Sequence, residues 1–271
     1  MLLLSLVAFP VAQFVLFPLV AGFSMRLGML AVEGLLLAGT VLLIRRRGWV
    51  LEDLLLLNAV PRPVLLATPV AAVGAALLAT GLDGRVAIGL EWLNLGAPAS
   101  LQRSLLEIQL ITDPLTAVLV PLSIVLVPAV CEEAFFRGYV LTGLRYHHGP
   151  VTAVVGSAVV FAAAHVNPWQ FPALFALGLF LAALVHWTHS LYPAVIGHAV
   201  NNSLSVAAVN LRAYTGIDSL GAVDPLSAAG ITAGAAALAV GVRSLLKSRP
   251  IMPLLAPHTR PAPADGLPGL A

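Results

Sequence analysis

Two adjacent glutamates and an arginine stand in Val130-Cys131-Glu132-Glu133-Ala134-Phe135-Phe136-Arg137-Gly138, near the end of a long apolar run. A charge at bilayer depth costs at least about 2.5–3.5 kcal/mol on insertion scales, so ionisable residues there mark a functional site by default. On a helix, Glu133 and Arg137 are i,i+4 neighbours on one face, which suits an ion pair. Glu132 is turned about 100° away and has no local partner. A carboxylate that is buried and unpaired gains the proton affinity that a general base or acid needs near neutral pH. The competing reading is a structural network in which all three residues hold their helix in place.

Two later apolar segments add polar groups. His165 closes the run Phe161-Ala162-Ala163-Ala164-His165, and an imidazole there can move a proton, bind a metal, or simply hydrogen-bond a carbonyl at a helix end. In His198-Ala199-Val200-Asn201-Asn202, His198 and Asn202 are i,i+4 and can point at one locus. A neutral His and an Asn amide can each donate to a developing oxyanion. Equally, they can join two helices, a common use of polar groups in membranes.

The three elements Glu-Glu-x-x-x-Arg, Phe-x-x-x-His and His-x-x-x-Asn, in that order on separate hydrophobic segments, resemble the CAAX protease and bacteriocin-processing (CPBP) family of intramembrane proteases. The resemblance runs from about Leu115 to Val209. It implies that Glu132 activates water, that His165 shares that water, and that Glu133 and Arg137 support them. It further implies that His198 and Asn202 stabilise the tetrahedral oxyanion. The family has been described both as zinc-dependent and as metal-free. Glu132, His165 and His198 are the set that zinc would use, but no His-Glu-x-x-His helix is present, which favours a metal-free mechanism without cofactor.

Composition defines the elements that must carry these residues. The chain has 271 residues, 59% hydrophobic and 10% charged, with a mean hydropathy of +0.97. Soluble domains carry about 25% charged residues, so lipid is the main solvent here. A net charge of +2 and the lack of a basic stripe with interleaved aromatics exclude a nucleic-acid partner. The single cysteine, Cys131, rules out an intrachain disulfide and a cysteine-based metal site. Thirteen of the fourteen basic residues are Arg, a composition that hints at a GC-rich bacterial genome.

A span needs roughly 20 apolar residues. Eight candidates follow: Leu2–Phe23, Leu27–Ile44, Val64–Leu82, Leu115–Leu141, Val151–Ala164, Phe171–Trp187, Leu191–Val209 and Pro225–Val242. The fold predicted is an all-α polytopic bundle over 1–249, with its motif-bearing core at 115–209 and a Pro-rich disordered tail over 250–271. No Lys or Arg precedes the first apolar run and no clear cleavage site follows it, so it reads as a retained helix rather than a signal peptide. Arg45-Arg46-Arg47, Arg62, Arg145, Arg243, Lys247 and Arg249 all fall on one side of eight alternating spans. The positive-inside rule then puts both termini in the cytoplasm, and a bacterial chain in the inner membrane. Segment Asp83–Asp113 reads as an amphipathic stretch on the opposite face.

Depth raises a difficulty. At about 1.5 Å per residue, Glu132 sits roughly 14 Å, His198 roughly 10 Å and His165 roughly 22 Å from the cytoplasmic ends of those spans. Glu33, inside the second span, needs a partner that the sequence does not name. His186 and His189 read as interface residues, His147-His148 as a loop, and Cys131 as a small buried residue. The expected activity is hydrolysis of a peptide bond in a membrane-anchored protein or peptide. The rivals are a proton-coupled transporter relaying protons through Glu132, His165 and His198, and an inactive membrane scaffold. The in-membrane charges gather in four consecutive spans, with only Glu33 elsewhere, which favours a single site.

Overall fold

Within a bilayer every backbone N–H and C=O must be satisfied inside its own segment, and an apolar run meets that demand as a helix. The structure, a computed structural model, describes residues 24–216 and 227–249. Nine helices lie among them: α1 (Met25–Arg46), α2 (Leu51–Leu54), α3 (Arg62–Trp92), α4 (Ala99–Glu107), α5 (Pro114–His147), α6 (Pro150–Ala164), α7 (Phe171–Thr188), α8 (Tyr192–Thr215) and α9 (Ala228–Ser248). The described residues include no strand. Seven of these helices answer to predicted spans two to eight. The first predicted span, the start of the eighth and the Pro-rich tail lie outside the described residues.

Five helices (α1, α3, α5, α7 and α9) are long and apolar enough to cross a membrane. The chain is a multi-pass membrane protein. α6 is apolar but has only 15 residues, and α8 carries His198, Asn201, Asn202, Asn210 and Arg212 along 24 residues. Both owe their place to helix packing as much as to lipid.

The structure corrects three boundaries. α3 continues through Asp83 to Trp92, because nothing in 83–92 stops a helix; the amphipathic piece is confined to α4, where no residue is buried. Arg26 of α1 holds the end of α4 by donating to the carbonyls of Glu107, Ile108 and Leu110. Glu107 and Ile108 end that helix, where carbonyls lack intrahelical partners. His147 is the last residue of α5 rather than part of a loop, and the motif helix runs six residues past its predicted end at Leu141.

That extension removes most of the depth difficulty. Glu132 is now fifteen residues before the α5–α6 turn and His165 fifteen after Pro150, so an antiparallel pair sets both roughly 22 Å from it. His198 gains depth differently. The α7–α8 turn is buried, with Ser190 and Leu191 bonded to the backbone of Asn58 and Leu56. Leu54 and Leu55 in turn meet α5 at Thr142 and Gly138. Those contacts lie five to nine residues inside the end of α5, roughly 8–14 Å. Adding the roughly 10 Å from Tyr192 to His198 brings all three residues to one level.

α3 and α9 pack most closely, and small residues allow it. A Cβ on Gly74 would fall onto the backbone of Leu238, and one on Gly241 onto that of Ala71. Lipid tails are as apolar as the helix surfaces, so close backbone approach has to supply the association that hydrophobic burial supplies in water. Gly241→Leu should therefore lower stability by about 1–3 kcal/mol or more, read as a fall in thermal midpoint in detergent, whereas Gly39→Leu on open surface should leave it unmoved.

Candidate active site

The centre of the bundle holds a buried charge cluster. Arg137 Nη1 lies 2.8 Å from Glu133 Oε1, and both side chains are 0% exposed. Arg137 also donates from Nη2 to the Gly178 carbonyl on α7 at 3.2 Å, and its guanidinium sits 4.3 Å from the centroid of the Phe161 ring. A cation over an aromatic face gains further attraction once desolvated. α7 can come this close because residue 178 is glycine: a Cβ there would meet Ala158 and the Phe161 ring at 3.1–3.2 Å.

His198 joins the same cluster, with Nδ1 2.9 Å from Glu133 Oε1. A carboxylate only accepts, so Nδ1 carries the proton in this contact. Neutral His198 therefore presents Nε2 as an acceptor; donation from Nε2 requires the imidazolium. The geometry thus differs from a neutral His198 donating to an oxyanion.

Glu132 stands apart from this cluster. It is buried, its Oε2 has no hydrogen-bond partner, and the nearest imidazole nitrogen is His165 Nε2 at 3.9 Å. His165 is the last residue of the α6 turn and bonds Nδ1 to the Phe161 carbonyl at 2.8 Å. A carbonyl cannot donate, so Nδ1 holds the hydrogen and Nε2 is the free lone pair turned towards Glu132. The backbone reverses at once: Val166 follows at φ +49°. That region is strained for a β-branched residue, at a position that fixes where His165 sits. Beyond the turn, Asn167, Trp169 and Gln170 line a cavity of about 210 Å³ together with Asp83 and Glu91 of α3.

Asn202 donates to the Ile124 carbonyl at 2.9 Å and stands beside Asn201. Pro128 lies four residues after Ile124 and has no N–H to offer that carbonyl, so the α8 amide takes the place of a missing helix bond. One N–H of Asn202 is engaged there and one remains. Here α5 is π-helical over Pro121–Leu126 and again over Ala134–Leu141, on either side of the two glutamates. Such widened turns occur often at functional sites. His186 and His189 lie at the far end of α7, outside the cluster. Burial, aided by the charge of Arg145, holds the His189 imidazole below its ordinary value.

Glu33 is the residue whose partner sequence reasoning could not name. It is 7% exposed on α1, and its carboxyl lies close enough to that of Glu132 to act on it both as a charge and as a hydrogen-bonding group. Ninety-nine residues separate the two, and no local spacing signals the contact.

Residues 114–204 of the 271 match the family described as type II CAAX prenyl endopeptidase Rce1-like. The match takes in all three motifs, from the start of α5 to just past Asn202, and it agrees with the resemblance read from the sequence. The match covers about a third of the chain, and what the family's description names as its activity is CAAX prenyl endopeptidase. No curated protein and no solved structure matches this chain.

Zinc is a poor fit to these side chains. Glu132, His165 and His198 do not converge as three donors, and neither does any other group of three His, Cys, Asp or Glu among the described residues. His198 is already turned to Glu133. Breaking a buried pair leaves a bare charge and costs about 3–5 kcal/mol, so Arg137→Met should lower unfolding stability in detergent by about that amount, while Glu133→Gln/Arg137→Met should recover part of it.

Proposed function

We propose that the chain is an intramembrane endopeptidase in which Glu132 is the general base. The observation that carries this reading is the division of labour between the two glutamates. Glu133 is tied through Oε1 to both Arg137 and His198, while Glu132 is bonded to neither and stands 3.9 Å from an imidazole lone pair. A water hydrogen-bonded to both the Glu132 carboxylate and His165 Nε2 fits that separation.

In this mechanism Glu132 takes a proton from the water as its oxygen bonds to the scissile carbonyl carbon. The carbonyl oxygen becomes an oxyanion, which His198 as imidazolium and the remaining N–H of Asn202 stabilise. Collapse re-forms the carbonyl and breaks the C–N bond, and the amine leaves with the proton returned by Glu132 or His165. Atoms and charge balance without a cofactor. A positioned base of this kind contributes about 10²–10⁴-fold.

The substrate class is a membrane-anchored protein or peptide. The matching family is one of CAAX prenyl endopeptidases, so a farnesylated peptide ending in Cys-aliphatic-aliphatic-X is the direct probe; an unprenylated membrane-anchored peptide is the comparison. The arginine-rich ends support a bacterial inner-membrane protein with its termini in the cytoplasm. The grouping of Glu33, Glu132, Glu133, Arg137, His165 and His198 at one locus supports a single hydrolytic site over a proton path between two faces.

Purified protein in nanodiscs should cleave one of these peptides, and Glu132→Gln should reduce kcat by about 10²–10⁴-fold. Chelator should leave the wild-type rate in place. A Glu132→Gln variant as active as wild type ends the proposal; chelator-sensitive cleavage restored by zinc replaces its mechanism.

A further inference from the structure

α1 lies outside the stretch that matches the Rce1-like family, yet it packs against the helix that carries the two glutamates. It brings one ionisable side chain into the core. Glu33 is buried on the helix that packs against the two glutamates, and its carboxyl lies near enough to that of Glu132 for the two groups to interact. Each of the two carboxyls has its Oε2 enclosed and without a hydrogen-bond partner.

Two ionised carboxylates have only acceptors to offer one another. In contact at this depth they would also repel, which is why paired carboxyls elsewhere share one proton. A single proton supplies the missing donor and turns the repulsion into a charge-assisted O–H···O⁻ bond. The surroundings decide which carboxyl keeps it. Arg137 acts on Glu132 as a positive charge, whereas the charge acting on Glu33 is that of Glu132 itself. The anion belongs on Glu132 and the proton on Glu33.

We propose that Glu33 is a positioning residue for Glu132, donating a hydrogen bond from its protonated carboxyl so that Glu132 stays a single oriented carboxylate facing His165. The Glu33 bond fixes one oxygen of Glu132 and leaves the other for water. This inference rests on the reading of Glu132 as the general base. It makes the site a product of two parts of the chain: the motif helices supply the reacting groups, and α1 supplies the second carboxyl.

The test uses the full chain in nanodiscs, with the farnesylated Cys-aliphatic-aliphatic-X peptide and the unprenylated anchored peptide as probes. Glu33→Leu removes the donor and should lower kcat by about 10–100-fold, the worth of a hydrogen bond to a charged group, with KM little changed. Glu33→Gln restores an N–H donor in the same shape and should recover most of that loss. A structural role alone would not separate Leu from Gln in this way, provided thermal midpoints show both variants folded. An infrared readout works without turnover: a carboxylic-acid carbonyl band present in wild type should persist in Glu132→Gln, shifted, and vanish in both Glu33 variants. Glu33→Leu turning over like wild type while Glu132→Gln is dead overturns the inference alone. A band that survives in Glu33→Gln overturns it too. Glu132→Gln cleaving like wild type removes the catalytic reading and this inference with it.

Discussion

Everything at the centre of this bundle depends on keeping one guanidinium dry. Arg137 is fully enclosed, and an isolated charge in so apolar a surrounding would cost many kcal/mol. Glu133, the Gly178 carbonyl and the Phe161 ring answer that cost from three directions. Those three partners belong to α5, α7 and α6, so satisfying one side chain fixes the relative placement of three helices. Glycine at 178 and the T-shaped contact of Phe136 with Phe161 at 5.3 Å follow as conditions for that placement.

The polar groups around this centre come from interruptions in regular helix. Pro128 removes a backbone donor, and α8 answers with Asn202. The π-helical stretches before and after the glutamates reset which faces of α5 look inwards. α6 ends at His165 because Val166 reverses the chain. Each irregularity would be a defect in a plain membrane anchor. Here they cluster within a few residues of the carboxylates, where a cavity-lining backbone is tolerated in a bilayer.

Much of this was legible in the residues themselves. The i,i+4 relation of Glu133 to Arg137, and the isolation of Glu132 from both, follow from helix period alone. The helical class follows from hydropathy, because lipid leaves few alternatives. Levels along the membrane normal were not legible: the end of α5 at His147 and the burial of the α7–α8 turn depend on contacts with the segment from Leu54 to Asn58, far away in sequence. The same is true of Glu33, whose partner lies on another helix. The hydrogen on His198 Nδ1 was also out of reach, since it depends on which oxygen the ring meets.

The shortness of α6 has a consequence for the lipid. Its 15 residues rise only about 22 Å, against a hydrocarbon thickness of about 30 Å. Acyl chains beside it face a mismatch of about 8 Å, which a bilayer meets by thinning or by giving way to protein. The polar turn after His165 occupies part of that gap, with Trp169 bonded to the Leu95 carbonyl. The membrane is therefore a structural component of the site: its thickness sets how far headgroup water stands from His165.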